Sequence, residues 1–370
     1  MTMILAIDTS FYTTSVAAMD RDGRVLADMR TIFVLKPGER GLAPSTVVFN
    51  HVRSLPSQVE HLFRLAARGF PRSEDPASAI LSPGTVKVDL VVASVRPRIV
   101  EDSYLPFFRV SEGFGRAVAA AVGAPFLELS HQEGHLAATW IARGGHNVGG
   151  NVDTGGGDGG CVCRREPPDR SFLVLQMSGG TTELLIVERW EAGRPQGVTS
   201  LGAALDVNVG QFLDHVGVRL GLSFPAGAAL ELEAGKASDV GAGAPVSGED
   251  GWHPIPVSAQ GYRLSFAGPE AAANRLIDAG CPAPVVARLC LEAVARGAEK
   301  VLRKAVEEFG RHDVVVCGGV AANQTLRRHL ARRLGHPAVG ARLVFPDPAY
   351  CTDNAVGLAE AGRRQTRNRN

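Results

Sequence analysis

The sequence lacks the features that mark membrane, secreted and strongly charged proteins. No apolar run reaches the roughly 20 residues that a membrane helix requires. The start, MTMILAIDTS, has no basic segment and turns polar too early for a signal peptide. The formal net charge of the 370 residues is only +1, which is not typical of a dedicated nucleic-acid binder. We therefore expect a cytoplasmic protein with no membrane partner.

Cysteine is also scarce and scattered. The six cysteines fit a reducing compartment rather than a disulfide framework. Only Cys161 and Cys163 are close together, and one pair supplies too few ligands for a structural zinc site. We expect these two cysteines to be incidental.

Large apolar residues are almost absent from one internal segment. Residues 144–170, GGHNVGGNVDTGGGDGGCVCRREPPDR, cannot bury enough surface to fix one conformation. The rest of the chain is apolar enough to fold, because hydrophobic residues make up 45% of the sequence. We expect an N-terminal lobe over 1–143, a flexible insertion over 144–170 and a C-terminal lobe over 171–370. The last helix could pack back on the N-terminal lobe.

The two halves open with the same pattern. MILAIDTSFYTTSVAAM and FLVLQMSGGTTELLIVE each predict a strand, a tight turn of small residues and a second strand. In the first half a third strand, RVLADMR, extends the hairpin into an antiparallel meander. The backbone N–H groups of such turns can bind a phosphate. Near the end, DVVVCGGVAANQTLRRHL predicts a strand, two glycines and a helix that begins near Asn323, an arrangement typical of nucleotide sites. The sequence therefore predicts two α/β lobes with a nucleotide in the cleft between them.

Two basic stretches could bind an RNA of the size of tRNA. One comprises Arg327, Arg328, Arg332 and Arg333, and the other is the tail GRRQTRNRN. The alternative for the first is a solvated helix face, and for the second a frayed terminus.

The segment LSHQEGHLAATW contains two histidines four residues apart. On a helix, His131 and His135 lie on one face, which is the spacing that two ligands of one metal ion need. Zinc proteases use a similar pair, but their acid directly follows the first histidine. Here Glu133 follows His131 by two residues and points about 200° away from it, so it is badly placed to activate a metal-bound water. The protease interpretation is therefore disfavoured.

Two histidines alone make a poor metal site, and a third ligand must come from elsewhere. The best candidate is Asp353 in PAYCTDNAVGLAEAG, directly before an apolar helix of small residues. A carboxylate there would complete a set of two histidines and one carboxylate with open coordination positions. The alternative is that Asp353 or Thr352 only caps that helix. Spacing alone does not decide between the two.

The ordered set of motifs resembles the TsaD family, also called Gcp or glycoprotease-like, of the actin-like ATPase superfamily. The matching segments run in family order and are AIDTS, HQEGH, SGGTTELLIV, LGAALDVNVGQFLDHVGVRLGLSFPAGAALE, GGVAANQTLR and CTDNAVGLAEAG. The resemblance implies an α/β, two-lobed actin-like ATPase fold with duplicated ribonuclease-H-like lobes around a central cleft. It also implies transfer of a threonylcarbamoyl group from threonylcarbamoyl-AMP to the exocyclic amine of an adenosine in tRNA, together with other threonylcarbamoylation proteins.

The resemblance also implies roles for individual residues. His131, His135 and Asp353 would bind one divalent metal, iron or zinc. Asp214 and Gly227 would contact the ribose and the substrate of an adenine nucleotide, either threonylcarbamoyl-AMP or ATP, and Asn323 would contact the adenine side. The adenylate pocket would be lined by Gln176, Met177, Ser178, Gly179 and Gly180.

The chain departs from the family pattern mainly around the acyl pocket. Acidic, histidine or glycine residues of the family are replaced by Tyr12, Thr13, Thr181, Val207, Gln211 and Ala226. A family loop of the form GGVVPE is also unrecognisable in GERGLAPSTVVFNH. Such a pattern is typical of a paralogue that keeps the metal and nucleotide but uses a different acyl or carbamoyl substrate, or has a regulatory role. A sugar or acetate kinase of the same superfamily has less support, since such kinases do not need the paired histidines.

Overall fold

The first half of the chain forms a five-stranded mixed sheet. The computed structural model describes residues 2–35, 41–68, 70, 87–100, 102–141, 166–238 and 253–367. The strands of this sheet are β1 (Thr2–Thr9), β2 (Thr13–Met19), β3 (Val25–Ile32), β4 (Lys87–Arg96) and β5 (Phe126–Ser130), and its helices are α1 (Pro44–Arg68), α2 (Phe108–Val122) and α3 (His131–Ala138). The strand order is β3-β2-β1-β4-β5, with β4 and β5 parallel and β2 antiparallel to their neighbours. The predicted antiparallel meander is confirmed.

The second half repeats this topology. Its strands are β6 (Phe172–Met177), β7 (Thr182–Glu191), β8 (Arg194–Ala203), β9 (Ser258–Gln260), β10 (Arg263–Ser265), β11 (Asp313–Cys317) and β12 (Arg342–Val344). Its helices are α4 (Val209–Arg219), α5 (Gly227–Gly235), α6 (Ala267–Asp278), α7 (Ala283–Phe309), α8 (Gln324–Leu334), α9 (Pro348–Cys351) and α10 (Val356–Arg367). The main sheet has the order β12-β11-β6-β7-β8, and β9 and β10 form a separate two-stranded sheet. With β6 in place of β1, the order and strand directions match the first sheet, so the predicted internal repeat is confirmed.

Both faces of β1 are buried. Met3, Leu5 and Ile7 of β1 pack in a core with α1 and α2, whereas Ile4 and Ala6 pack in a core with α10. Side chains alternate between the two faces of a strand, and both faces are covered here, so the strand appears in the sequence as a continuous apolar run. The chain end thus returns to the first sheet.

The C-terminal stretch is not a frayed terminus up to its last described residue. Helix α10 runs to Arg367, and Arg363 is 7% exposed and paired with Glu360 at 2.7 Å. Gly362 lies against Val92 and Leu90 of β4, where a Cβ would come within 2.6 Å of a Val92 methyl. The prediction that the basic tail could bind RNA is therefore wrong for Arg363, which is buried in the fold.

The basic face of α8 is smaller than the sequence suggested. Arg327 is buried, donates to the carbonyl oxygens of Ala321 and Pro346, and lies over the ring of Phe345. It cannot contribute to an RNA-binding surface, whereas Arg328, Arg332 and Arg333 are exposed.

Two further expectations concern membrane-spanning helices and the insertion over 144–170. No described helix is long and apolar enough to cross a membrane. Residues 144–165 of the expected insertion, including Cys161 and Cys163, lie outside the described residues.

Candidate metal centre and nucleotide cleft

The short helix α3 begins at His131 because the residue before it is an effective cap. The Ser130 hydroxyl accepts from the backbone N–H of Glu133, and the Glu133 carboxylate accepts from the backbone N–H of Ser130. This reciprocal capping box satisfies two N–H groups at the helix start. The other Glu133 oxygen accepts from Arg194 at 2.8 Å. Glu133 is therefore a structural acid, which removes the base that a zinc protease would need.

The two histidines of α3 converge with Asp353. The Nε2 atoms of His131 and His135 lie 3.4 and 3.2 Å from the same carboxylate oxygen, Oδ1 of Asp353. One ligand atom from each residue lies within 4.8 Å of the other two. Ligand atoms bound tetrahedrally at about 2.1 Å from one ion are roughly 3.4 Å apart. The spacing therefore fits the binding of one metal ion.

A buried nitrogen supports the same interpretation. The Nε2 atom of His135 is buried and makes no hydrogen bond of acceptable geometry with any described residue, although Asp353 is near. Buried polar atoms are rarely left without a partner, and such exceptions often indicate an ion or a ligand. Imidazole nitrogen and carboxylate oxygen are ligands that iron and zinc both accept.

Two residues at the end of β1 orient the candidate ligands. The Nδ1–H of His131 donates to the fully buried carboxylate of Asp8, with both oxygens at 3.0 Å. That hydrogen bond directs the Nε2 lone pair toward Asp353. The Ser10 hydroxyl donates to the other oxygen of Asp353 at 2.6 Å. Sequence reasoning missed both residues, although their signal was the abrupt polar ending of β1 in AIDTS.

The electrostatics of the cluster favour a cation. Burial lowers the pKa of His131, but Asp8 and Asp353 outweigh it and hold that pKa well above its ordinary value. Burial raises the pKa of Asp353, but its interactions with the adjacent imidazoles of His131 and His135 outweigh it and hold that pKa well below its ordinary value. Two carboxylates thus surround two imidazoles that are neutral when they bind metal, which gives the cluster excess negative charge.

A close helix crossing brings Asp353 to α3. A Cβ at Gly357 of α10 would overlap the carbonyl oxygen of Gly134 in α3, so only glycine permits this approach. The cap of α10 is Asn354, whose side-chain oxygen accepts from the Gly357 N–H at 3.2 Å. Neither Thr352 nor Asp353 makes this capping bond, so the Asp353 carboxylate is available to the histidines.

The predicted phosphate turn follows β6 and is closed by its own backbone. The Ser178 N–H donates to the Thr181 carbonyl at 2.7 Å, and the Thr181 N–H donates to the Ser178 hydroxyl at 3.0 Å. Gly179 and Gly180 are exposed, with no atom near the position of a Cβ. The start of α4 packs on this turn, because the Gly210 N–H donates to the Ser178 carbonyl at 3.2 Å.

The glycine junction after β11 lies against the same turn. Gly318 has a φ of +90°, and a Cβ there would overlap the carbonyl oxygen of Met177. Next to it, the Oε1 atom of Gln176 is buried with no hydrogen-bond partner among the described residues. The structure thus brings residues 176–180, the start of α4 and Gly318 together.

The remaining predicted nucleotide residues lie on α4, α5 and α8. Asp214 accepts from the Ala226 N–H at 2.7 Å, directly beside Gly227. Burial raises the pKa of the Asp214 carboxyl, and the N–H groups of Ala226 and Gly227 only partly offset this. The side-chain oxygen of Asn323 caps α8 by accepting from the Leu326 N–H at 2.9 Å, which leaves its amide nitrogen for other contacts. The predicted helix start near Asn323 is confirmed.

A series of packed elements connects the metal cluster with the phosphate turn. Helix α9 contacts both α3 and the single helical turn at 319–322, and that turn in turn contacts β6 and α4.

Comparison with known proteins gives a consistent assignment. The family model of tRNA N6-adenosine threonylcarbamoyltransferase (TsaD) matches residues 162–360. A protein of that name from Parasynechococcus marenigrum is 30% identical, over 98% of this chain and 90% of its own. Another, from Thermus thermophilus, is also 30% identical, over 98% of this chain and 92% of its own.

Solved structures support the fold alone. Full-length HypF in a phosphate- and nucleotide-bound form aligns with a TM-score of 0.51 at 12% identity, over 100% of this chain and 47% of that protein. HypF from T. kodakarensis aligns with a TM-score of 0.51 at 14% identity, over 99% of this chain and 48% of that protein. The chain thus spans about half the length of these HypF proteins and has the two-lobed fold of the actin-like ATPases. From the family match and the near full-length similarity, the chain belongs to the TsaD family of tRNA N6-adenosine threonylcarbamoyltransferases.

Proposed function

We propose that this protein transfers a threonylcarbamoyl group from threonylcarbamoyl-AMP to the exocyclic amine of an adenosine in tRNA, with one divalent metal ion in the cleft. The observation that carries the proposal is the convergence of His131, His135 and Asp353, with ligand atoms within 4.8 Å, and helix α9 connects this cluster with the elements around the phosphate turn. Membership of the TsaD family supports the reaction class.

In this reaction the amine attacks the carbamoyl carbon and loses a proton, while the bond from that carbon to the phosphate oxygen breaks and AMP leaves. A bound iron or zinc ion would supply a Lewis acid for phosphate or carbonyl oxygen. The exposed turn at Gly179 and Gly180 would direct backbone N–H groups at the phosphate. Asp214 and Gly227 would contact the ribose and substrate, and the amide nitrogen of Asn323 would face the adenine.

A second function has one specific observation in its favour. Tyr12, at the turn after β1, packs across the cleft on Phe224 with 4.7 Å between ring centroids. Burial raises the pKa of Tyr12, and the charge of Asp214 raises it further. An aromatic group therefore fills space where the resembled family has an acid, which suits a different carbamoyl or acyl substrate, or a regulatory nucleotide-binding role.

The proposed partner is tRNA, with other threonylcarbamoylation proteins as further candidates, and a tRNA substrate implies a cytoplasmic location. The exposed arginines of α8, Arg328, Arg332 and Arg333, offer a surface for phosphates. We also retain the lobe boundaries 1–143 and 171–370, with 144–170 as an insertion, as part of the proposal.

Complementation tests the two functions. A bacterial strain that lacks its own family member would express this protein, its His135→Ala variant or a His61→Ala control, and tRNA nucleosides would be measured by mass spectrometry. We expect the modification to return slowly, to be absent with His135→Ala and to be unaffected by His61→Ala, since His61 is an exposed residue of α1. No modification, although the purified protein binds metal and nucleotide, would favour the second function. Modification at normal rates would rule out the second function.

A further inference from the structure

A second cavity, of about 440 Å³, lies outside the metal and nucleotide cleft. It is formed by the loop after β4, the residues Gln132 and Glu133 of α3, and strands β7 and β8. No residue proposed above for metal or nucleotide binding lines it. Its size is within the range of small-molecule sites.

Two arginines enter this cavity from a well-fixed loop. Arg96 ends β4 opposite Ser130 of β5. The loop is held by two hydrogen bonds, because the Gln132 N–H donates to the Pro97 carbonyl at 3.1 Å and the Ile99 N–H donates to Oε1 of Gln132 at 3.0 Å. The arginines are therefore positioned by backbone contacts rather than by ion pairs of their own.

The charge of these arginines is not balanced within the described part of the chain. The Nε atom of Arg96 is buried and has no hydrogen-bond partner there. Arg98 is exposed. Its backbone N–H donates to the Ser103 hydroxyl, and its guanidinium makes no hydrogen bond with the described residues. A buried guanidinium N–H usually has an acceptor, so the missing acceptor indicates an anionic group that belongs in the cavity.

The acidic residues of the cavity are already engaged by other donors. Glu133 accepts from Ser130 and from Arg194. Glu183 is 6% exposed and accepts from Nε2 of Gln132 at 3.1 Å and from the Ser200 hydroxyl at 2.6 Å. Neither carboxylate forms an ion pair with Arg96 or Arg98. Arg194 neutralises Glu133, whereas the donors to Glu183 are neutral, so the three arginines and two carboxylates that line the cavity give it a net charge of +1.

We propose that this cavity binds the phosphate group of a small organic phosphate through Arg96 and Arg98. A guanidinium presents a planar fork that matches phosphate oxygens, and two guanidinium groups can share one phosphate. The lining also includes the apolar residues Ile99, Leu185 and Val198, which suit the organic part of such a ligand. An RNA backbone phosphate has the same chemistry, but the partly enclosed shape favours the small molecule.

Calorimetric titration with inorganic pyrophosphate and with AMP tests the proposal. The proteins are the full chain and its Arg96→Gln, Arg98→Gln and Gly179→Val variants, with Arg53→Gln as matched control, because Arg53 is an exposed arginine on α1 away from the cavity. We expect affinity at this site to fall about tenfold or more in Arg96→Gln and in Arg98→Gln. Binding here should persist in Gly179→Val, which changes only the proposed nucleotide turn, and in Arg53→Gln.

A short single-stranded RNA separates the two phosphate sources. If AMP but not the RNA competes with pyrophosphate for the cavity, the ligand is a small phosphate. If the RNA binds in an Arg98-dependent way and AMP does not displace it, the ligand is an RNA phosphate. No binding of any probe to the parent protein, or equal binding in both arginine variants at unchanged melting temperature, would overturn the site. Metal content, measured on the same samples, reports separately on the proposed function.

Discussion

The two sides of the cleft use their polar groups in opposite ways. On the metal side, His135 has a buried nitrogen with no hydrogen-bond partner among the described residues, and His131 and Asp353 are oriented by Asp8 and Ser10 rather than by each other. On the acyl side, the residues that depart from the family pattern are engaged within the fold. The metal side therefore has polar atoms available for a ligand, whereas the residues of the proposed acyl side already contact other residues of the protein.

Two residues illustrate the acyl side. Gln211 closes the start of α4, because its Oε1 accepts from the Asn208 N–H at 3.1 Å. Tyr12 packs on Phe224 across the cleft. Each contact has a local stabilising role that needs no substrate. The difference predicts that changes on the metal side alter ligand binding and leave the fold intact, while changes at Tyr12 alter stability.

The largest expected effect concerns the metal. His135→Ala removes one of the three proposed ligands, so metal affinity should fall about 100-fold or more, because even residues that only orient ligands contribute 10- to 100-fold. The melting temperature should change little. Elemental analysis of the purified proteins measures this, with His215→Ala as control for loss of a histidine near a carboxylate. Full metal occupancy in both His131→Ala and His135→Ala would contradict the assignment of the metal site, and the contrast between the two sides would then no longer hold.

Asp8→Asn tests the orientation of His131. The variant keeps the shape of the side chain but weakens the acceptor for Nδ1–H, so metal affinity should fall about 10- to 100-fold. Asp278→Asn, at an exposed aspartate of α6 paired with Arg219, is the matched control. Competition with a fluorescent chelator gives both affinities. Equal affinities would mean that the metal side does not depend on Asp8.

Gly179→Val tests the nucleotide turn between the two sides. Gly179 has no atom near its Cβ position, so valine should fit the unliganded fold but occupy the space that a phosphate needs. We expect affinity for AMP at the cleft to fall about tenfold or more. Gly268→Val is the control, since Gly268 on α6 is equally unobstructed. Unchanged titration curves in Gly179→Val would contradict the assignment of this turn.

The sequence predicted the architecture well for a physical reason. Strand pairs such as β1–β2 and β6–β7 are local in the chain, and their apolar runs and turn residues specify them directly. The spacing of His131 and His135 is likewise local, so the pair could be found without a structure. Asp353 remained one of two alternatives, because whether it caps α10 depends on Asn354 and on the helix crossing.

Contacts between distant segments were not predictable in the same way. Asp8 is 123 residues from His131, and no periodicity connects them. Arg327 looked like a surface charge, yet its guanidinium is buried against the ring of Phe345 and the backbone carbonyl of Pro346, which belong to a later segment. Arginine can be buried when its donors are satisfied, and only the tertiary structure shows that they are.

A smaller effect is expected from Tyr12 on the acyl side. The Tyr12–Phe224 contact has an edge-to-face geometry, with an interplanar angle of 62°. Such pairs contribute about 0.5–1.5 kcal/mol beyond their buried area. A double-mutant cycle of Tyr12→Ala and Phe224→Ala, measured by urea unfolding, should give a coupling free energy in that range, with metal content unchanged. A coupling energy near zero would mean that the aromatic contact does not stabilise the fold.

The smallest expected effect is that of deleting residues 147–165. The deletion tests whether the segment that contains Cys161 and Cys163 supplies a further metal ligand. Few groups in that segment could pack, and ordering its glycines would cost conformational entropy. The deletion stops before Glu166, which pairs with Arg364 at 2.6 Å and is 76% exposed, so even this pair of about 0–1 kcal/mol is kept. We expect the melting temperature and the metal content to stay nearly unchanged. A second variant, with a Gly-Ser linker of equal length in place of 147–165, controls for the shortened connection, because a destabilisation seen only in the deletion reflects loop closure. A fall in metal content in both variants would instead mean that a cysteine completes the coordination, since the three described ligands alone would then be insufficient.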